Sequence, residues 1–187
     1  MAPIADEGAR PELPQDLEEA VDFHGHLCPG LLIGYRAAKG GLDILGSDRS
    51  EDEELVAIVE NDSCSVDAVQ VLTGATFGKG NLFYKDHGKQ VFTFALRPSG
   101  KAVRLALKPG ALGGDTSREE KSRLLLSSPV EDLFKVTTDP IDLPDTARIR
   151  DSVVCESCGE PVMETRTEKV DGRLLCIPCA GMEKAEP

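Results

Sequence analysis

Four cysteines near the C-terminal end place the tightest constraint on the fold of this chain. Cys155 and Cys158 form one Cys-x-x-Cys pair, and Cys176 and Cys179 form a second pair after seventeen intervening residues. Each pair makes a tight turn that directs two thiolates at one point, and two pairs supply the four sulfurs of a tetrahedral zinc site. The segment is too short and polar to bury much apolar surface, so metal binding would supply its folding free energy. The spacing therefore predicts a zinc ribbon with a structural, non-catalytic ion.

The residues between the two cysteine pairs are typical of a ribbon hairpin. Residues 162–170 are rich in Thr and Val and predict a strand, and Asp171-Gly172 is a strong hairpin signal. The alternatives are a pair of disulfides or a redox dithiol. A thioredoxin-like motif has one Cys-x-x-Cys beside a strand–helix unit, however, rather than two around a hairpin. The pattern therefore favours zinc.

Length and charge limit what the rest of the chain can do. The 187 residues leave room for one core domain of ordinary size beside the ribbon. A formal net charge of −12 argues against a nucleic-acid partner, because phosphate binding needs a basic surface. No apolar run reaches membrane-spanning length, and the N-terminus lacks the basic-then-apolar layout of a signal peptide. We therefore expect a cytoplasmic protein without a membrane segment, where reducing conditions favour metal over disulfides.

The order of predicted elements indicates an α+β core with an antiparallel sheet. Helices are predicted at 14–23, 31–45 and 64–72, a buried strand at 55–60, and a β-hairpin from 90–97 and 102–108. A capping box, Thr116-x-x-Glu119, predicts a further helix. The predicted organisation is a disordered arm at 1–13, the core at 14–136, an extended linker at 137–147 and the zinc ribbon at 148–187.

A second group of potential metal ligands lies before the second helix. His24, His26 and Cys28 alternate along the chain, so an extended backbone would place all three on one side. Imidazole and thiolate are ligands for zinc, nickel, iron or copper. Cys64 follows the buried strand at the start of the third predicted helix, whose N-terminus is expected to lower the pKa of its thiol.

Our hypothesis is that these two groups meet and form a core metal site, with Cys64 and His26 as the principal ligands. The alternative is that His24 and His26 cap the helix and that the cysteines are small buried residues.

Several motifs together resemble the FmdE-like family, which is named after a component of formylmethanofuran dehydrogenase. The first is the run Phe-His-Gly-His-Leu-Cys-Pro-Gly at residues 23–30. The resemblance continues through residues 60–70, 72–74, 78–81, 88–89 and 92–94, and covers most of residues 14–136. It implies an α+β core, an intertwined homodimer and, in some members, a C-terminal zinc finger. It also implies association with a molybdenum or tungsten enzyme of one-carbon metabolism, without a settled activity.

Carried over residue by residue, the resemblance singles out a candidate site. Its members are His24, His26, Cys28, Cys64, Asp67, Gln70, Thr73, Lys79 and Asn81. Cys64, Asp67 and Lys79 are the catalytic candidates. Gln70, Thr73, Lys79 and Asn81 are the candidates for cofactor binding, with Lys79 neutralising a substrate carboxylate or phosphate. On a helix, Asp67 would share the face of Cys64 and orient a histidine, or else be a solvated carboxylate favoured by the helix dipole.

Three functions fit these residues. The first is a metal-binding protein of molybdenum- or tungsten-dependent one-carbon metabolism, with structural zinc and a second transition metal in the core. The second is a regulator or adaptor that senses a metal or metabolite and binds a partner protein through the ribbon. The third is a thiol enzyme with Cys64 as nucleophile. Gly34, Ala37 and Ala38, on one apolar helix, would suit the close helix contact of a homodimer.

Overall fold

A computed structural model describes residues 13–182 in two compact units, one ending at Thr146 and the other beginning at Ala147. The arm predicted at the N-terminus, apart from residue 13, and the end of the predicted ribbon, residues 183–187, lie outside the described residues. No helix within residues 13–182 has the length and apolar character needed to cross a membrane.

The first unit mixes helices with a largely antiparallel sheet, which confirms the predicted α+β class. Its helices are α1 Gln15–His24, α2 Pro29–Leu45, α3 Ser65–Thr73, α4 Arg118–Ser127 and α5 Val130–Leu133. Its strands are β1 Leu55–Val59, β2 Leu82–Tyr84, β3 Val91–Leu96, β4 Ala102–Leu107 and β5 Phe134–Thr137. They form a sheet in the order β2-β1-β3-β4-β5, in which the β1–β2 pair is parallel and each other neighbouring pair is antiparallel.

The core lies between this sheet and the long helix α2. Strand β1 is buried along its whole length, as its continuous apolar run predicts. Phe92 and Phe94 of β3 are fully buried and belong to the same apolar cluster as Leu31 and Leu32 of α2. Because α2 is apolar around most of its circumference, it is buried on several sides. The start of α2, where Cys28 lies, is therefore fixed by the main core.

Small residues let α2 and α3 approach closely inside the chain. A Cβ atom at Gly34 would lie 1.9 Å from the backbone oxygen of Ser65, which no real side chain tolerates. Ala37 and Ala38 are fully buried as well. The structure thus uses these three residues within one chain, which corrects the expectation that they suit a dimer contact. The N-terminus of α3 consequently lies directly on α2.

Two local predictions near α4 need correction. The N-cap is Ser117, whose hydroxyl accepts from the Glu120 N–H at 3.1 Å, one residue later than the predicted box. The Thr116 hydroxyl instead donates to the Leu112 carbonyl oxygen at 2.9 Å. Strand β5 takes in Thr137, so the sheet extends into the start of the predicted linker.

The second unit consists of two hairpins. Its strands are β6 Ser152–Val154, β7 Pro161–Met163, β8 Thr167–Val170 and β9 Arg173–Cys176, paired β6 with β7 and β8 with β9. Asp171 and Gly172 have φ angles of 51° and 81° and form the turn between β8 and β9, so the predicted hairpin is confirmed. The continuous strand predicted for residues 162–170 is wrong, because a 3-10 turn at Glu164–Arg166 divides it.

Candidate metal centres and the adjoining cavity

The four ribbon cysteines form a compact cluster of sulfur atoms. All four Sγ atoms lie within 4.8 Å of one another, and those of Cys158 and Cys176 are 3.9 Å apart. A tetrahedral zinc ion with Zn–S bonds of about 2.3 Å holds its sulfurs about 3.8 Å apart. The observed spacing therefore fits zinc bound by four protein ligands, as predicted.

Backbone groups of the ribbon prepare Cys155 for metal. Hydrogen bonds from the backbone N–H groups of Cys158, Cys176 and Ser157 lower the pKa of Cys155 to about 6. The bond from the Cys176 N–H to Cys155 Sγ measures 3.3 Å. Because the thiolate is the form that binds metal, these bonds favour zinc at neutral pH.

A second cluster of ligand atoms lies where α1 ends and α2 begins. One ligand atom each from His24, His26 and Cys28 lies within 4.8 Å of the other two. The ring centroids of His24 and His26 are 4.6 Å apart. His24 is the last residue of α1, and Gly25, with a φ of 95°, ends that helix and turns the chain toward Cys28. The short connection between two helices thus gathers the three side chains.

Asp67 fixes the orientation of His24. The Asp67 Oδ2 atom lies 2.7 Å from His24 Nδ1, and the His24 side chain is only 11 % exposed. A proton on Nδ1 donates to this carboxylate, which leaves the Nε2 lone pair available. His24 Nε2 lies 3.8 Å from Cys28 Sγ. The carboxylate therefore aims the free ring nitrogen into the cluster, the arrangement that orients metal-bound histidines.

Cys28 both belongs to this cluster and begins α2. It is the N-cap residue, and its Sγ accepts from the Leu31 N–H at 3.3 Å. The residue is only 4 % exposed. Cys28, rather than His24 or His26, therefore caps the helix, so the alternative role proposed for the histidines is wrong.

Cys64 lies against Cys28 at the start of α3. The position that a Cβ atom would occupy at Gly30 lies 3.7 Å from Cys64 Sγ and 3.8 Å from Cys28 Sγ. Burial, followed by contact with the Cys28 thiol, raises the pKa of Cys64. The expectation of a lowered pKa is therefore wrong, because lost hydration of the thiolate outweighs the effect of the helix N-terminus.

The two predicted groups do meet, but with a different set of close neighbours. Among residues 13–182, the mutually close donors here are His24, His26 and Cys28, whereas Cys64 contacts the far side of Cys28. The pair predicted as principal ligands, Cys64 and His26, is thus not the geometric centre. The contact from Asp67 on α3 to His24 is what sequence spacing alone did not weigh.

A cavity of about 410 Å³ adjoins His24. Cys64, Asp67 and Gln70 line it from α3, and Phe77 and Tyr84 line it from the loop before β2 and the end of that strand. Sequence reasoning missed Phe77 and Tyr84 as candidates. Their signal is weak in one sequence, because it lies in the scarcity of aromatics elsewhere in the chain (4 %).

Asn61 holds the junction between β1 and α3 in place. Its Oδ1 accepts from the hydroxyls of Ser63 and Ser65 at 2.7 Å and 3.0 Å. Its Nδ2 donates to the Lys89 carbonyl oxygen at 2.8 Å. These bonds fix the backbone from which Cys64 and Asp67 project.

The predicted cofactor residues separate into two groups. Gln70 lines the cavity. Lys79 Nζ instead donates to the Glu51 carbonyl oxygen at 3.1 Å, and Asn81 Nδ2 donates to the Leu55 carbonyl oxygen at 2.8 Å. Thr73 is fully buried, with its hydroxyl bonded to the Val69 carbonyl oxygen. The side chains of Thr73, Lys79 and Asn81 thus stabilise backbone, which corrects their assignment to the site.

Comparison with known families decides the identity of the core. The sequence pattern described as "FmdE, Molybdenum formylmethanofuran dehydrogenase operon" matches residues 23–135, more than half of the chain. The chain belongs to the FmdE family. In this FmdE-family chain, the pattern of the prokaryotic dksA/traR C4-type zinc finger matches residues 148–182, which include all four ribbon cysteines. Both parts of the resemblance are confirmed.

Two known proteins are similar over much of the FmdE-family chain. A probable S-adenosyl-L-methionine-binding protein of Archaeoglobus fulgidus is 33 % identical over 208 residues, which cover 94 % of this chain and 56 % of that protein. The chain therefore spans about half the length of this curated relative. A crystal structure of an FmdE-like protein of tungsten formylmethanofuran dehydrogenase, from Syntrophus aciditrophicus, has a TM-score of 0.66 at 24 % identity. It covers 88 % of this chain and 90 % of its own, and it shares the fold.

Proposed function

We propose that this FmdE-family protein binds a transition metal in its core through His24, His26 and Cys28, in addition to zinc in its ribbon. Two imidazoles and one thiolate suit zinc, nickel, iron or copper. Three protein ligands leave a coordination position open, whereas four close the ribbon site. The core metal would therefore be able to bind a further ligand.

The observation that carries this proposal is the chain of contacts from Asp67 through His24 to Cys28. The carboxylate lies 2.7 Å from one ring nitrogen, and the opposite ring nitrogen lies 3.8 Å from the sulfur. A core histidine without a ligand would need a partner for each nitrogen, but it would not need a second imidazole and a thiol on the same side. Metal binding accounts for all of these neighbours together.

The cavity beside His24 gives this metal a place to meet an organic ligand. The family description and the Syntrophus neighbour both name formylmethanofuran dehydrogenase. We extend to this chain their association with molybdenum- or tungsten-dependent one-carbon metabolism. On this proposal, a tagged chain co-purifies from its source organism with a molybdenum- or tungsten-containing enzyme. Recovery of the chain without either metal would remove the association.

We further propose a cytoplasmic homodimer. A reducing compartment keeps the six cysteines available for metal. Light scattering from the purified protein should then give twice the chain mass of 20.1 kDa. A mass of one chain would contradict the dimer and leave the metal site unaffected.

The other two functions have less support. The family matches do not favour a regulator or adaptor. A thiol enzyme needs a thiolate at Cys64, and burial raises the pKa of that thiol.

Elemental analysis of the full-length protein tests the core metal. We expect the zinc of the ribbon and a second metal ion per chain. Cys28→Ser should lose the second ion and keep the fold, because serine also caps helices. Cys64→Ser is the matched control and should keep both ions, since Cys64 lies beside the cluster. A wild-type protein with zinc at the ribbon alone, or a Cys28→Ser protein with both ions, would overturn the proposal.

A further inference from the structure

Two aromatic side chains are exposed on the wall of the cavity beside His24. Phe77 is 63 % exposed and Tyr84 is 41 % exposed, although aromatic residues are scarce in this chain. Aromatic rings on a concave surface gain free energy when a flat ligand covers them. The cavity volume of about 410 Å³ falls within the range of small-molecule sites, about 300–1,000 Å³. The wall therefore suits a ligand with a flat ring.

The same wall carries negative charge. The described residues that line it include the carboxylates of Asp62 and Asp67 but no lysine or arginine. Burial, a hydrogen bond to Asp86 and the nearby Asp62 carboxylate raise the pKa of Tyr84. Asp62 thus lies close to one of the two aromatic rings. Carboxylates in a concave site attract cations and repel anions.

The N-terminus of α3 also faces this cavity, and such termini often bind anions. Here the Ser63 N–H already donates to Asn61 Oδ1 at 3.1 Å, and the Val66 N–H donates to the Ser63 carbonyl oxygen at 3.0 Å. Asp67 adds its own negative charge in the first turn of the helix. These groups leave a phosphate or carboxylate little to gain at this terminus.

We infer that this cavity selects an organic cation, an ammonium or sulfonium ion joined to a flat ring, with Asp62 facing the charge and Phe77 and Tyr84 packing on the ring. The inference rests on the proposed function, because the ligand would lie beside the metal bound at His24. It replaces the anionic ligand that Lys79 was expected to neutralise.

Three adenosine compounds test the charge preference. S-adenosyl-L-methionine carries a sulfonium ion, S-adenosyl-L-homocysteine has a neutral thioether in its place, and adenosine 5′-monophosphate carries a negative phosphate. Isothermal titration of the full-length protein in low salt should give an affinity for the sulfonium compound about tenfold above that for the thioether. The phosphate compound should bind most weakly.

Variants assign the preference to the wall. Asp62→Asn should reduce the sulfonium advantage to less than about twofold without changing thioether binding. Phe77→Ala should weaken both compounds alike, because it removes ring packing rather than charge. Asp115→Asn removes an exposed carboxylate that does not line the cavity and should leave all three affinities unchanged.

Equal affinity for sulfonium and thioether, tighter binding of the phosphate compound, or a sulfonium advantage that survives Asp62→Asn would overturn the inference. So would the absence of binding by all three compounds to a protein that carries its core metal, and the metal proposal would then stand alone. Conversely, a sulfonium advantage in a protein without core metal would support the cation site and overturn the metal proposal.

Discussion

The ribbon and the core cluster use similar ligands on opposite foundations. In the ribbon, the buried apolar side chains are those of Cys155, Leu175 and Cys176, so two of the three are themselves metal ligands. In the core, His24 and Cys28 lie at the ends of α1 and α2, next to a large apolar cluster that includes fully buried Leu31 and Phe94. One metal would build its surroundings, whereas the other would bind to surroundings already built.

This difference teaches how to separate a structural ion from a working one without chemistry. A site that is closed by four protein ligands and lacks an independent core depends on its ion for folding. A site with three ligands, an oriented histidine and an adjoining cavity does not. The two halves of this chain should therefore respond differently to the same perturbation.

Removal of zinc should have the largest effect and should be confined to the ribbon. With a strong chelator, or in a Cys158→Ser variant, residues 148–182 should lose their structure because zinc supplies their folding free energy. Residues 14–136 should keep theirs. Amide hydrogen exchange measures both regions in one experiment. Simultaneous loss of protection in both would contradict the comparison.

A substitution in the α2–α3 contact should have the opposite distribution. Gly34→Ala places a Cβ atom 1.9 Å from the Ser65 backbone oxygen and should destabilise the core by about 3 kcal/mol. Ribbon zinc should remain bound. Gly78→Ala is the control, because a Cβ atom there would meet no atom within 4 Å. Urea unfolding followed by circular dichroism compares the two, and equal midpoints would show that α2 and α3 do not pack this closely.

The carboxylate behind His24 should affect core metal affinity but not the fold. Asp67→Asn keeps the shape of the side chain, which is 35 % exposed, but weakens the orientation of the imidazole. We expect core metal affinity to fall roughly 10–100-fold. A competition titration with a coloured chelator measures this loss, while zinc in the ribbon provides the internal reference. Asp62→Asn, in the same cavity, should retain wild-type metal affinity.

The smallest expected effect concerns a carboxylate that stabilises the core without metal. Glu60 lies 2.9 Å from His87 Nδ1 and 3.1 Å from an Arg104 nitrogen. Burial alone would raise the pKa of Glu60, but the hydrogen bonds from His87 and Arg104 outweigh it and lower that pKa. A lowered folded pKa means that the stabilisation is present above the unfolded pKa and is lost as pH falls through the folded pKa.

Glu60→Gln should therefore cost about 1 kcal/mol at pH 7, since both partners are partly exposed. The difference from wild type should shrink as pH falls below about 4.3, the ordinary pKa of glutamic acid. Urea unfolding across this range provides the measurement. Glu120→Gln, at an exposed pair with Arg123, should change stability less. A cost that grows toward acid pH would show that the sign is wrong.

The sequence predicts the ribbon better than the core site because ribbon geometry is local. The spacing of the Cys-x-x-Cys pairs and the Asp171-Gly172 turn depend on residues close together in the chain. Even there, the 3-10 turn at Glu164–Arg166 has no clear local signal. The α+β class was also predictable, because β1 and the β3–β4 hairpin have distinctive apolar patterns.

Contacts between distant residues explain what sequence analysis missed in the core. The partner of His24 lies 43 positions away, at Asp67. Lys79 was expected to meet a ligand, yet it bonds to the carbonyl oxygen of Glu51, 28 positions earlier. The pKa of Cys64 depends on its burial and on Cys28 rather than on the helix that follows it. No pattern of period or spacing encodes these meetings.

The double role of Cys28 has an evolutionary consequence. Its sulfur both starts α2 and would hold the core metal, and a single nucleotide change can convert a cysteine codon to serine. Such a mutation would preserve the helix start, so the descendant would remain folded while its chemistry vanished. Inactive lineages with an intact architecture can thus arise in one step, and the residue aligned with position 28 would distinguish them from working relatives.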